Sequence, residues 1–67
     1  MAIHYILKAT LPNKPPVYFM NFIMSTEDKD CAYPFKSRKD AELEQDRFKY
    51  LFYKDEEPKI TVERIGD

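Results

Sequence analysis

Residues 17–25, VYFMNFIMS, have no polar side if the stretch is extended. Successive side chains of a strand point to opposite faces. Val17, Phe19, Asn21 and Ile23 then share one side, and Tyr18, Met20, Phe22 and Met24 the other. Both sides are apolar apart from Asn21, so both need cover. The chain has 67 residues and reads as a single domain, 1–67. At this size folding removes only roughly 60% of the surface that the unfolded chain exposes. So small a domain has few elements with which to cover two faces.

Residues 3–11 place Ile3, Tyr5, Leu7, Ala9 and Leu11 on one side and His4, Ile6, Lys8 and Thr10 on the other, the period of a half-buried strand. Pro12, Pro15 and Pro16 follow, and proline has no N–H to give to a ladder. The PNKPP segment is therefore a stiff connection that joins two neighbouring strands as a hairpin.

Further on, Ser37 can accept a hydrogen bond from the free N–H groups of a helix's first turn, with Asp40 three residues later as in a capping box. A helix is predicted over residues 38–54, ended by Pro58, which disfavours helical geometry at Glu57. At about 100° per residue, Ala41, Gln45, Phe48 and Phe52 form the stripe that packs on a sheet, with Leu51 at its margin. Leu43 and Tyr50 point away from it. KITVERI, Lys59–Ile65, alternates again and makes a third strand. The expected fold is α+β: a three-stranded antiparallel sheet in the order 2-1-3, with one helix on one face and the order strand, strand, helix, strand.

The charge balance is even, with 11 Lys plus Arg against 12 Asp plus Glu and a net charge of −1. That is too neutral for an acidic DNA mimic or for a nucleic-acid binder driven by electrostatics. One cysteine cannot form an internal disulfide, which fits a reducing cytoplasm. The longest apolar run is far short of the ~20 residues of a membrane span, and the first residues lack the pattern of a secretion signal.

Chemistry is suggested most by TEDKDCAYPFKSRKD, residues 26–40, where acids and the only cysteine cluster. Asp28 and Asp30 begin like a calcium loop. The pattern then fails, because Ala32 holds a ligand position, Tyr33 the glycine position and Lys39 the place of the bidentate acid. A structural zinc needs four Cys or His ligands, against His4 and Cys31 here. Glu27, Asp28 and Asp30 oppose ionisation of Cys31, which argues against a nucleophilic thiol. The stretch reads as a solvated connector with no catalytic, cofactor or metal role, with Cys31 half-tucked under it as a small apolar residue. A nucleic-acid reading rests on Arg47, Lys49 and Lys54 interleaved with Phe48, Tyr50, Phe52 and Tyr53. The surrounding Glu42, Glu44, Asp46, Asp55, Glu56 and Glu57 weigh against it.

The surplus of apolar side chains points instead to protein contacts. With the wholly apolar side of strand two on the helix, Phe19, Asn21 and Ile23 lie on the open sheet face beside His4 and Ile6. Leu43, Arg47 and Tyr50 make a second outward patch on the helix. Exposed apolar patches with polar rims mark interfaces, where Tyr, Phe, Met and Arg are enriched. Strand two as a sheet edge would offer unpaired backbone to a partner strand or to a copy of itself. Glu27, Asp28 and Asp30 would meet a basic patch. The alternative is a homodimer whose apolar sheet face is its own interface.

PFKSRKDAELEQDRFKYLF followed by KITVERI gives the chain an element order that resembles short strand-strand-helix-strand proteins encoded by bacteriophages. Some of these bind and inhibit host machinery such as RNA polymerase. The resemblance implies a small non-enzymatic effector that binds a bacterial protein in the host cytoplasm.

Overall fold

The computed structural model of the chain describes residues 3–21 and 24–66. It contains strands β1 (His4–Thr10), β2 (Val17–Asn21) and β3 (Met24–Thr26), a helix α1 (Arg38–Lys49) and a strand β4 (Lys59–Ile65), with 3-10 turns at Lys29–Cys31 and Lys54–Glu56. The sheet is antiparallel in the order β3-β2-β1-β4. The expected α+β class and the neighbours of β1 are present, but the sheet has four strands.

The fourth strand comes from within the apolar run. Asn21 pairs with Met24 and Phe19 with Ser25, so the run turns back on itself. Asn is depleted in strands and favours turns, which a count of apolar residues overlooks. Because β3 flanks β2, the sheet edges are β3 and β4, and β2 is not an edge. The expectations placed on Phe22 and Ile23 fall outside the described residues.

The facing of β2 is the reverse of the expected one. Ala9 pairs with Val17 and Lys8 with Tyr18, and directly opposed residues share a face. Phe19 therefore joins Leu7 on the helix side, where both pack with Phe35, Ala41 and Phe48. Phe19 is 3% exposed. Tyr18 lies on the other face with Ile6 and Ala32. The register to β1 decides this, and no single strand reveals it.

That second face is not open. The connector runs across it, laying Ala32 on Ile6 and Tyr18. Lys29 Nζ there donates to Glu63 Oε1 of β4 at 2.6 Å, and this bond to the carboxylate raises the Lys29 pKa above its usual 10.5. The chain then crosses to the helix side where β1 and β2 diverge. Tyr33 N donates to the Phe19 carbonyl at 2.8 Å, and Tyr5 and Phe35 exchange both backbone bonds at 2.9 and 2.8 Å. Residues 33–35 act as a strap between the separating strands. Far from being solvated throughout, the connector buries Ala32 and Phe35.

Local signals are followed closely elsewhere. Leu11 accepts from Lys14 N at 3.4 Å, and Asn13 has φ 63°. Proline at the second position and positive φ at the third are the pattern of a type II turn. Ser37 Oγ accepts from Asp40 N at 3.1 Å and caps α1, while the Arg38 guanidinium lies 5.8 Å from the centroid of the Tyr5 ring. Ala41 and Phe48 are fully buried as the stripe requires. The helix stops at Lys49 rather than at residue 54, because its last turns tighten. Tyr50 N bonds to Arg47 O, Leu51 N to Phe48 O and Phe52 N to Lys49 O. Residues three apart eclipse in such winding, which brings Leu51 over Phe48 and keeps both Leu51 and Phe52 against the core.

Candidate functional site

The strap and the start of α1 frame a groove of about 390 Å³. Its floor is the buried pair Phe19 and Phe35, whose rings stack at 5.6 Å. Tyr33 packs on Phe35 at 4.8 Å and edge-on to Phe19 at 6.2 Å. Pro34, Asn21 and Leu43 complete the walls, and Lys36, Asp40 and Glu44 form a polar rim. Tyr33 is 49% and Leu43 67% exposed, so the walls offer apolar surface to solvent over an aromatic floor. The position of each wall is fixed locally: Tyr33 by its bond to Phe19, and Leu43 by the helix that Ser37 starts.

Three residues expected at a partner surface, Phe19, Asn21 and Leu43, thus line one groove, although the sequence places them on two separate surfaces. Phe19 contributes floor rather than exposed contact. Arg47 lies one turn beyond Glu44, with Nη1 3.9 Å from Glu44 Oε2, an ion pair at the limit of contact. Tyr50 belongs elsewhere. It is 86% exposed and lines a wide concavity of about 820 Å³ with Lys49, Phe52, Tyr53, Asp46, Glu57 and Pro58. Three aromatics and one lysine of the nucleic-acid reading do meet there, alongside two acids. Ile23 is outside the described residues.

The acids of the connector sit on the opposite side of the sheet. Glu27, Asp28 and Asp30 are exposed, but the Asp28 carboxylate is already engaged, accepting from Asp30 N at 2.9 Å and from Cys31 Sγ at 3.5 Å. The Asp-x-Asp pattern is thus the cap of a 3-10 turn. Cys31 is exposed rather than tucked away. Its hydrogen bond to Asp28, then the charges of Asp28 and Asp30, push the thiol pKa above its ordinary 9.0. Among the described residues there is no cluster of three or more His, Cys, Asp or Glu that could hold a metal ion. No helix among them is long and apolar enough to cross a membrane.

Tyr33, Pro34 and Phe35 are the site residues that sequence reasoning missed. The signal was AYPF itself, a compact apolar group in a charged stretch. A solvated connector has no use for two aromatics around a proline, whereas a strap into the core does. Comparison with known proteins finds no counterpart, for no family model, curated protein or solved structure matches the chain.

Proposed function

We propose that the domain acts by stoichiometric, non-enzymatic binding of another protein, and that the groove between the strap and α1 takes an apolar side chain of that partner. The observation that carries this reading is the exposure of Tyr33 and Leu43 above the stacked Phe19 and Phe35. Interfaces concentrate their energy in a few apolar or aromatic anchors surrounded by polar groups, and Lys36, Asp40 and Glu44 supply that rim. A non-catalytic role is further supported by the hydrogen bond that holds the Cys31 thiol protonated. Following the resemblance in element order to phage effectors, the expected partner is a bacterial host protein in the cytoplasm.

The test is affinity capture from bacterial lysate, comparing the wild-type chain with Leu43→Asp and Tyr33→Ser. Both side chains are substantially exposed, so circular dichroism should stay unchanged while the captured protein is lost. Retention of the same protein at undiminished yield by both variants overturns the groove as the site.

A further inference from the structure

β4 is a seven-residue edge strand. It pairs with β1 in an unbroken ladder from His4↔Ile65 to Thr10↔Lys59, and among the described residues it pairs with no second strand. Edge strands are usually blunted by shortness, bulges, internal proline or charged side chains. The opposite edge, β3, has only three residues, but β4 has no register shift and no proline within it.

The direction of its free backbone groups follows from the strap. Tyr5 spends both its N–H and its C=O on Phe35, on the β2 side of β1. Backbone groups alternate along a strand, so His4, Ile6, Lys8 and Thr10 turn theirs toward β4. Their partners Ile65, Glu63, Thr61 and Lys59 answer them. Ile60, Val62 and Arg64 are then the residues whose N–H and C=O point outward.

We infer that this edge pairs antiparallel with β4 of a second copy of the chain, about a two-fold axis at Thr61. In that register Ile60 and Val62 of each copy exchange both outward backbone bonds. Ile60 faces Val62 on the helix side of the sheet, where both are half-buried and gain further cover. On the other side Thr61 meets its own copy, and Lys59 of each chain meets Glu63 of the other. Charges such as Lys59 and Glu63 guard an edge against any strand that does not answer them, and like charges directly opposed repel. Here Lys59 and Glu63 each meet their opposite, with Arg64 beyond them across from Pro58, and the two ion pairs select a second copy over an arbitrary strand. A register centred on Val62 instead sets Arg64 against Ile60 and leaves Lys59 facing Ile65, with no ion pair.

Sedimentation equilibrium from micromolar to millimolar concentration tests the inference. The wild-type mass is expected to rise to twice the 8.0 kDa of the chain. Lys59→Glu sets carboxylate against carboxylate at both ends of the paired strands, and Glu63→Lys sets ammonium against ammonium there, so each variant alone should stay at the single-chain mass. Mixing the two variants sets like charges against each other at neither end and should give a one-to-one heterodimer. Because Glu63→Lys also removes the bond to Lys29, Val62→Pro gives a second reading. It deletes one outward N–H, so it should abolish the doubled mass with the circular dichroism spectrum retained. In a Cys31→Ser background, oxidation of Thr61→Cys should link the copies. A wild-type mass that never exceeds one chain, or doubled mass in Lys59→Glu alone and in Val62→Pro, overturns the inference. Leu43→Asp should dimerise normally, which separates this edge from the groove.

Discussion

Phe35 offers the sharpest test of the strap, because a solvated connector and an inserted one predict costs that differ several-fold. Its side chain is 6% exposed and its ring stacks on Phe19 at 5.6 Å and packs on Tyr33 at 4.8 Å. Burial of a phenylalanine stabilises by about 1.5–3 kcal/mol, and each aromatic pair adds ~0.5–1.5 kcal/mol. With the cavity left behind, Phe35→Ala is expected to cost ~3–5 kcal/mol. A domain of this size has a total stability of only ~3–5 kcal/mol, so the alanine variant should be largely unfolded at 25 °C without denaturant. Phe35→Leu keeps most of the volume and should cost ~1–1.5 kcal/mol. With a urea slope of about 1 kcal/mol per molar, its midpoint should fall by ~1–1.5 M. Urea titration followed by circular dichroism measures both. If Phe35→Ala lies within about 0.5 kcal/mol of wild type, as substitutions on a solvated surface do, the strap is not part of the core and the reasoning fails.

Ser37→Ala removes the acceptor for Asp40 N and should lower stability by about 1 kcal/mol in the same titration. Glu57 has φ 50° and ψ 56°, a left-handed conformation that costs a side-chain-bearing residue about 1–2 kcal/mol. Glycine is freer in the unfolded chain, which returns part of this, so Glu57→Gly should raise the urea midpoint by ~0.5–1 M, at the same slope of about 1 kcal/mol per molar. For Cys31, the folded pKa is raised from 9.0 by Asp28. Its contribution to stability is therefore complete below pH 9.0 and lost as pH climbs through the folded value. Alkylation by iodoacetamide, which needs the thiolate, should rise at higher pH than for a free thiol, and Asp28→Asn should move that rise downward. An unchanged profile in Asp28→Asn would refute the bond.

What could be read from the sequence was what short-range physics decides. Ser37 as cap, Ala41 and Phe48 as the buried stripe, and Lys59–Ile65 as the last strand each depend on residues within a turn or two of themselves. The face on which Phe19 lies depends instead on Ala9 and Val17 being opposed, a register set across the PNKPP turn. The apolar run also misled: two apolar sides suggested one long strand with a side for a partner, but the fold supplies its own cover for both. Phe19 is covered by the helix and Tyr18 by the connector. Of the residues lining the candidate groove, the sequence places Phe19, Asn21 and Leu43 at a surface, Phe19 on the wrong face. Tyr33 and Phe35 require knowing that residues 33–35 thread between two strands.

That threading also explains why the candidate binding surfaces lie where they do. A small sheet with one helix would ordinarily leave one face bare, and a bare apolar face is the simplest place to receive a partner. Here the segment that leads to the helix first crosses the far face and pins itself there through Lys29 and Glu63. It then enters the gap between β1 and β2, so that β1 is paired along its length, with Phe35 at Tyr5 and with β2 at Lys8 and Ala9. Both faces are thereby occupied, and the two surfaces proposed for partners lie at seams, apart from the exposed Tyr50 and Tyr53 beyond the helix. One seam is the junction of strap and helix, where Tyr33 and Leu43 stay exposed. The other is β4, whose outward backbone groups the strap cannot reach because it enters on the opposite side of β1. Since the seams share no residue, loss of binding at one should leave the other intact. A variant that removes both functions while its core remains folded would therefore argue against this division of the surface.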